Sequence, residues 1–220
     1  MASVWPKATN TLELTSVQIE HLLAQFLKPF IDHVSFLGVF PFDYFPHSVF
    51  TQDMLHHSVC CVVNTDPSYK PGQHWLAFFR EKGRRHIEFF DSSGFPPEKY
   101  HFPPFHNFTL LANKRMLQSF CTNVCGHYCI LFLFLRAYSI KTLHINSRFD
   151  HVINFLLKLS AGPALNRDIN VKRIIDQNAI LPTQPLLTQI TIHHVAPSSS
   201  HCQRSLPFHA LHDSPFTTTP

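Results

Sequence analysis

A domain that lays a buried helix on a central antiparallel sheet is predicted by three observations. Short β-like runs span 58–64, 74–80 and 86–91, and the last two are joined by a Lys82-Gly83-Arg84-Arg85 turn. From Cys125 to Tyr138 the chain is almost uniformly apolar, too long for an average strand, which predicts a buried helix beginning at or near the cysteine. With 220 residues, 45 % hydrophobic and 22 phenylalanines, the chain can bury one substantial core and little more.

The elements follow in order. Thr15 and Gln18 fit a capping box, and Ile19, Leu22, Leu23, Phe26, Leu27 and Phe30 recur at helical spacing until Lys28-Pro29 interrupts them. Phe36 to Phe40 reads as a short extended piece; prolines 41 and 46 then mark an aromatic loop expected to lie over a substrate groove. The three strands come next. Ser92-Ser93-Gly94-Phe95-Pro96-Pro97 breaks the sheet, and Phe108 to Phe120 fits helix and strand equally well. After the buried helix, Asp150–Leu159 and Asp168–Gln177 predict two short helices. Six prolines and a Ser198-Ser199-Ser200 run make 181–220 an expected disordered tail, leaving 1–180 as the catalytic domain.

Composition excludes several classes. Six cysteines, mostly in apolar runs, are unlike the dispersed framework of a small secreted protein and point to a reducing compartment. Met1–Asn10 has no signal-peptide core, and Cys129–Leu135 is too short to span a bilayer, so a soluble intracellular or particle-packaged protein is expected. The formal charge is +4 at pH 7 and the pI about 8.8. The cations Lys82, Arg84, Arg85, Lys114, Arg115, Lys172 and Arg173 are dispersed, the usual pattern of a solvated surface, but weak DNA binding is to be tested.

His74, Asp91, Gln118 and Cys125 supply, in that order, the groups a cysteine needs for acyl transfer: a base, an orienting carboxylate, an oxyanion donor and a thiol. A helix N-terminus favours a thiolate at Cys125, and Gly126 would let the backbone approach a bound carbonyl. Neighbouring strands would bring His74 and Asp91 together. Each residue has an ordinary alternative: a core cysteine, one histidine among 17, an Asp-Ser-Ser-Gly turn, a solvated glutamine. Trp75 is expected either in the core or walling a narrow substrate channel. Cys121, Cys125 and Cys129 are four apart, but this is not a common zinc spacing and no metal site is predicted.

Over residues 30–140 the chain resembles the adenovirus-type cysteine proteases (adenain family), a branch of the group that includes the SUMO-specific Ulp-type enzymes. The resemblance is carried by Phe36-Leu37-Gly38, Cys60 to Thr65, His74 to Phe78, Phe89 to Phe95, and Gln118 to Cys129. It implies an α+β, papain-like fold of clan CE, with the nucleophile's helix packed on a mainly antiparallel sheet. It also implies an endopeptidase cleaving near small residues such as glycine, with Cys125, His74, Asp91 and Gln118 in the roles above. Asp91-Ser92 looks more like the Ulp-type pattern, while the spacing from Gln118 to Cys125 matches the adenovirus type and Val124 replaces the Asp that Ulp-type enzymes usually place before the nucleophile. Such mixed features resemble adenovirus-like proteases of Maverick/Polinton-type elements and related large DNA viruses. The expected substrates are then virion precursor proteins, processed in the nucleus or virion by a monomer. No cofactor is required by the sequence; DNA or a peptide is the activator the resemblance implies. No cysteine lies between Cys61 and Cys121, so a disulfide-tethered peptide has no counterpart. Two other readings are removal of ubiquitin-like modifiers after Gly-Gly, and a catalytically inactive scaffold or nucleic-acid-binding relative.

Overall fold

In the computed structural model, residues 13–143, 149–158 and 164–180 are described. The expected tail, 181–220, lies outside them. Helix α1 (Ser16–Leu27) opens with the capping box: Gln18 N–H donates to Thr15 Oγ1, and the Gln18 side chain accepts from Thr15 N–H. Its buried face is Ile19, Leu23, Phe26 and Leu27.

Five strands follow in one sheet, β1 (Val34–Phe40), β2 (Ser58–Asn64), β3 (Trp75–Arg80), β4 (His86–Phe90) and β5 (Thr109–Ala112), neighbouring in that order. β2, β3 and β4 are antiparallel, as expected; β1 on β2 and β5 on β4 are parallel, so the sheet is mixed rather than mainly antiparallel. The reason is connection length. Parallel neighbours need a long crossover, and 41–57 (with α2, His47–Thr51) and 91–108 supply two. The segment that fits helix and strand equally well is strand only over Thr109–Ala112.

Every residue of β2 and β3 is buried, because both faces of the sheet are covered. On one face, Cys60, Val62, Ala77, Phe79 and Phe90 meet α1 and the buried helix α3 (Cys125–Leu143). Phe90 stacks on Phe132, centroids 4.5 Å apart. On the other, Cys61, Val63, Leu76, Phe78, Ile87 and Phe89 lie beneath an aromatic layer. Phe45, from the loop expected over a substrate groove, belongs to that layer, with its ring 4.6 Å from Phe78. The loop therefore seals the back of the sheet; burying its phenylalanines against the sheet stabilises more than exposing them at a groove.

α3 is apolar on all sides because β3, α1, α4 (Phe149–Lys158) and α5 (Ala164–Ile180) surround it. The exceptions are His127, Ser139 and Arg136, the last fully buried and forked onto Glu88 of β4 at 2.6 and 2.7 Å. No helix among the described residues is long and apolar enough to cross a membrane.

Candidate active site

The site lies where β3 begins, β4 ends and α3 starts. His74 is the last residue before β3, and its backbone carbonyl accepts from Thr65 N–H at 2.9 Å, fixing where the strand begins. Asp91 follows β4 directly. Ala77 pairs with Phe90 and Phe78 with Phe89, a register that sets His74 beside Asp91. Their side chains meet at 2.6 Å, His74 Nε2 donating to Asp91 Oδ1. The other ring nitrogen, Nδ1, is left for a different partner, and the side chain of Cys125 lies within the imidazole's hydrogen-bonding environment.

Electrostatics favour a charged pair. Burial works against protonating His74, whose side chain is 18 % exposed. Hydrogen bonds to Asp91 and Cys125 outweigh it and raise the imidazole to about 9. Burial would also raise Asp91, but the His74 bond, then Tyr100 and the Ser93 amide, hold it below the ordinary carboxylate value. Asp91 accepts four hydrogen bonds, from His74, Ser93 N–H (2.7 Å), Phe95 N–H (3.0 Å) and Tyr100 Oη (2.7 Å). The turn reading and the functional reading of Asp91 thus coexist: one carboxylate closes the Asp91–Gly94 turn and orients the imidazole.

Cys125 is the first residue of α3 and only 3 % exposed. Cys121 lies in the preceding turn, exposed, so no helical stripe of three cysteines exists. No cluster of three or more metal-ligating side chains occurs among the described residues.

Gln118 is buried on the loop between β5 and α3. Its Nε2 donates to the Thr122 carbonyl at 2.5 Å and its Oε1 accepts from Ser92 Oγ at 2.8 Å. A carbonyl can only accept, which fixes the amide's orientation and leaves one N–H of Nε2 uncommitted. The loop is fastened to the acid's turn by Leu117 and Gln118 N–H groups, both donating to Ser92 O.

Gly94 makes that fastening possible. Its φ is +72°, and a Cβ there would lie 2.7 Å from Arg115 C and Met116 N. Gly94→Ala is expected to destabilise the protein by about 2–3 kcal/mol. It should also lower turnover by displacing the Gln118 loop; urea unfolding and kcat check the two effects separately.

Gly126, expected to let the backbone approach a bound carbonyl, also lies at a close helix contact. A Cβ there would meet Ile19 Cδ1 at 2.9 Å and Leu14 Cβ at 3.3 Å, so its missing side chain lets α1 and Leu14 approach α3. Trp75 is 7 % exposed, with its indole N–H donating to Leu14 O at 3.1 Å. It anchors the entry to α1, and little of its ring is left to wall a channel.

Sequence reasoning overlooks Ser92, Tyr100, Asn113 and Asp168. Asn113 clasps the Asp91 backbone through both amide atoms, at 2.9 and 2.6 Å. Ser92 had a signal, adjacency to the acid; the others act across gaps in sequence that carry no periodicity.

No protein-family model matches the chain, nor does any curated protein. Among solved structures, the ASFV pS273R protease is 19 % identical over 76 % of this chain and 67 % of its own, with a TM-score of 0.47. ChlaDub1 from Chlamydia trachomatis is 12 % identical over 74 % of this chain and 95 % of its own, with a TM-score of 0.41.

Proposed function

We propose that the protein is a thiol endopeptidase, with Cys125 as nucleophile, His74 as general acid and base, Asp91 as the orienting carboxylate and Gln118 as oxyanion donor. The observation that carries this reading is the 2.6 Å His74–Asp91 bond, with Cys125 at the first position of α3 among the groups that raise the imidazole. In acylation the Cys125 sulfur attacks the scissile carbonyl. The oxyanion is received by the Cys125 backbone N–H at the open end of α3 and by the free N–H of Gln118. His74 gives its Nδ1 proton to the departing amine, and then activates the water that hydrolyses the thioester. A nucleophile only 3 % exposed supports an extended substrate with glycine or another small residue at the cleaved bond. Precursor proteins with such sites are the proposed substrates.

The test uses two electrophiles. A peptidyl-Gly vinyl sulfone is expected to modify Cys125, and N-ethylmaleimide the exposed Cys121, as located by mass spectrometry. His74→Ala should abolish only the first. Peptide-probe capture at Cys121 instead, with no cleavage of Gly-containing peptides, would sink the proposal.

The same pair predicts a pH dependence. His74 is raised in the folded protein, so its stabilisation is complete below about pH 6.5 and lost as pH rises through about 9. Unfolding free energy is expected to fall by about 3 kcal/mol across that window. A His74→Gln protein should lack this fall, and turnover of the parent should decline near pH 9 as the proton donor is lost. Asp91 contributes in the other direction: held low, it stabilises above the unfolded value of 3.8 and loses that contribution in stronger acid.

A further inference from the structure

A buried carboxylate on α5 lies outside the groups assigned to catalysis. Asp168 is 1 % exposed and accepts hydrogen bonds from Ser119 N–H (2.9 Å), Thr122 Oγ1 (2.5 Å) and Tyr128 Oη (2.9 Å). Two of these donors sit on the irregular loop that bears Gln118, and the third on α3 one turn beyond Cys125. Thr122 is also the residue whose carbonyl receives the Gln118 amide. A continuous chain of bonds therefore runs from Asp168 through Thr122 to the amide and on to Ser92 beside Asp91.

A pocket of about 300 Å³, lined in part by Thr122, Val124, Asp168, Ile169, Lys172 and Arg173, opens beside these bonds, so packing around them is incomplete. A loop without regular secondary structure holds a side chain to the tolerance that oxyanion binding needs only where bonds to its surroundings lock it. Three hydrogen bonds to one buried carboxyl group supply that support here.

We infer that Asp168 is a positioning residue for the Gln118 oxyanion donor, so that α5 completes the catalytic centre without touching the substrate. The inference rests on the peptidase reading above. It predicts a selective defect: reactions of Cys125 that build an oxyanion suffer, while those that do not are spared.

The experiment uses the full chain carrying Cys121→Ser. With p-nitrophenyl acetate, the Cys125 sulfur forms a thioester and p-nitrophenolate leaves through a tetrahedral oxyanion. With iodoacetamide, the same sulfur displaces iodide and no oxyanion forms. Asp168→Asn is expected to slow acylation about 100-fold and alkylation by less than about twofold. In a Gln118→Ala background the further loss of acylation should be under about threefold, because the two changes act on one element. Equal loss in both reactions, or additive effects with Gln118→Ala, would overturn the role of Asp168. If Asp168→Asn does not fold, Thr122→Val removes the linking hydroxyl and carries the same expectations. Unimpaired acylation by Gln118→Ala overturns instead the oxyanion role on which the inference rests, and Asp168's with it.

Discussion

Asp91→Asn is expected to lower kcat on the order of 10³-fold. The carboxylate accepts from four donors with two oxygens, and of the four only the Tyr100 hydroxyl, or His74 in its other tautomer, can accept from a carboxamide. An asparagine offers one acceptor oxygen and one N–H₂ group, so its nitrogen must face either the pair His74 and Ser93 or the pair Phe95 and Tyr100. Facing the first, it strands the Ser93 amide and turns the imidazole away from its working tautomer. Facing the second, it strands the Phe95 amide and loosens the turn that holds Ser92 against Gln118. Both arrangements remove the charge that keeps His74 protonated. The loss of stability should be about 2–4 kcal/mol, since a buried donor left unpaired costs roughly 1–3 kcal/mol. The imidazole titration, followed by NMR, should move down from about 9. An Asp91→Asn protein with near-parental kcat and an unmoved titration would remove the carboxylate from the chemistry.

The second large effect concerns stability alone. Arg136→Ala is expected to cost about 3–5 kcal/mol, because Glu88 would remain buried without its partner. Arg136 and Glu88 are both about 1 % exposed in their side chains and are joined by two bonds, with Glu81 a more distant third member at 3.4 Å. Burial raises Glu88 to about 7 even with Arg136 beside it. The guanidinium also lies 5.0 Å from the Phe79 ring centroid. Replacing both partners, Arg136→Met with Glu88→Leu, is expected to recover most of the loss, because it strands no charge and fills the same volume. Urea unfolding of the two single variants and the double one gives the coupling directly. The pair lies three turns along α3 from Cys125, so the folded double variant should keep its turnover within about threefold.

Much of the fold is legible in the sequence because its signals are local. The capping box at Thr15 and Gln18, the three central strands and the apolar run from Cys125 each depend on a few neighbouring residues, and each stands where it is expected. The parallel edges of the sheet are not legible, since strand direction depends on where a crossover lands. The aromatic loop after β1 shows the same limit: its composition says that it must be buried, and only the assembled sheet says against which face.

The site divides along the same line. His74, Asp91, Gln118 and Cys125 can be picked out from residue type and order, and His74 and Asp91 are joined in the structure. What the sequence determined by itself is this set of chemical groups, together with the strands and helix that carry them, because both follow from side-chain chemistry and short-range periodicity. Tertiary structure alone decided how the groups are held. Ser92, Asn113, Tyr100 and Asp168 fix them through bonds spanning up to 49 positions in the chain. Gly126 and Trp75 serve packing against the Leu14 segment. Such contacts are set by where the chain returns in space, and the physical reason they escape the sequence is that a hydrogen bond or a close approach leaves no periodic trace between distant partners.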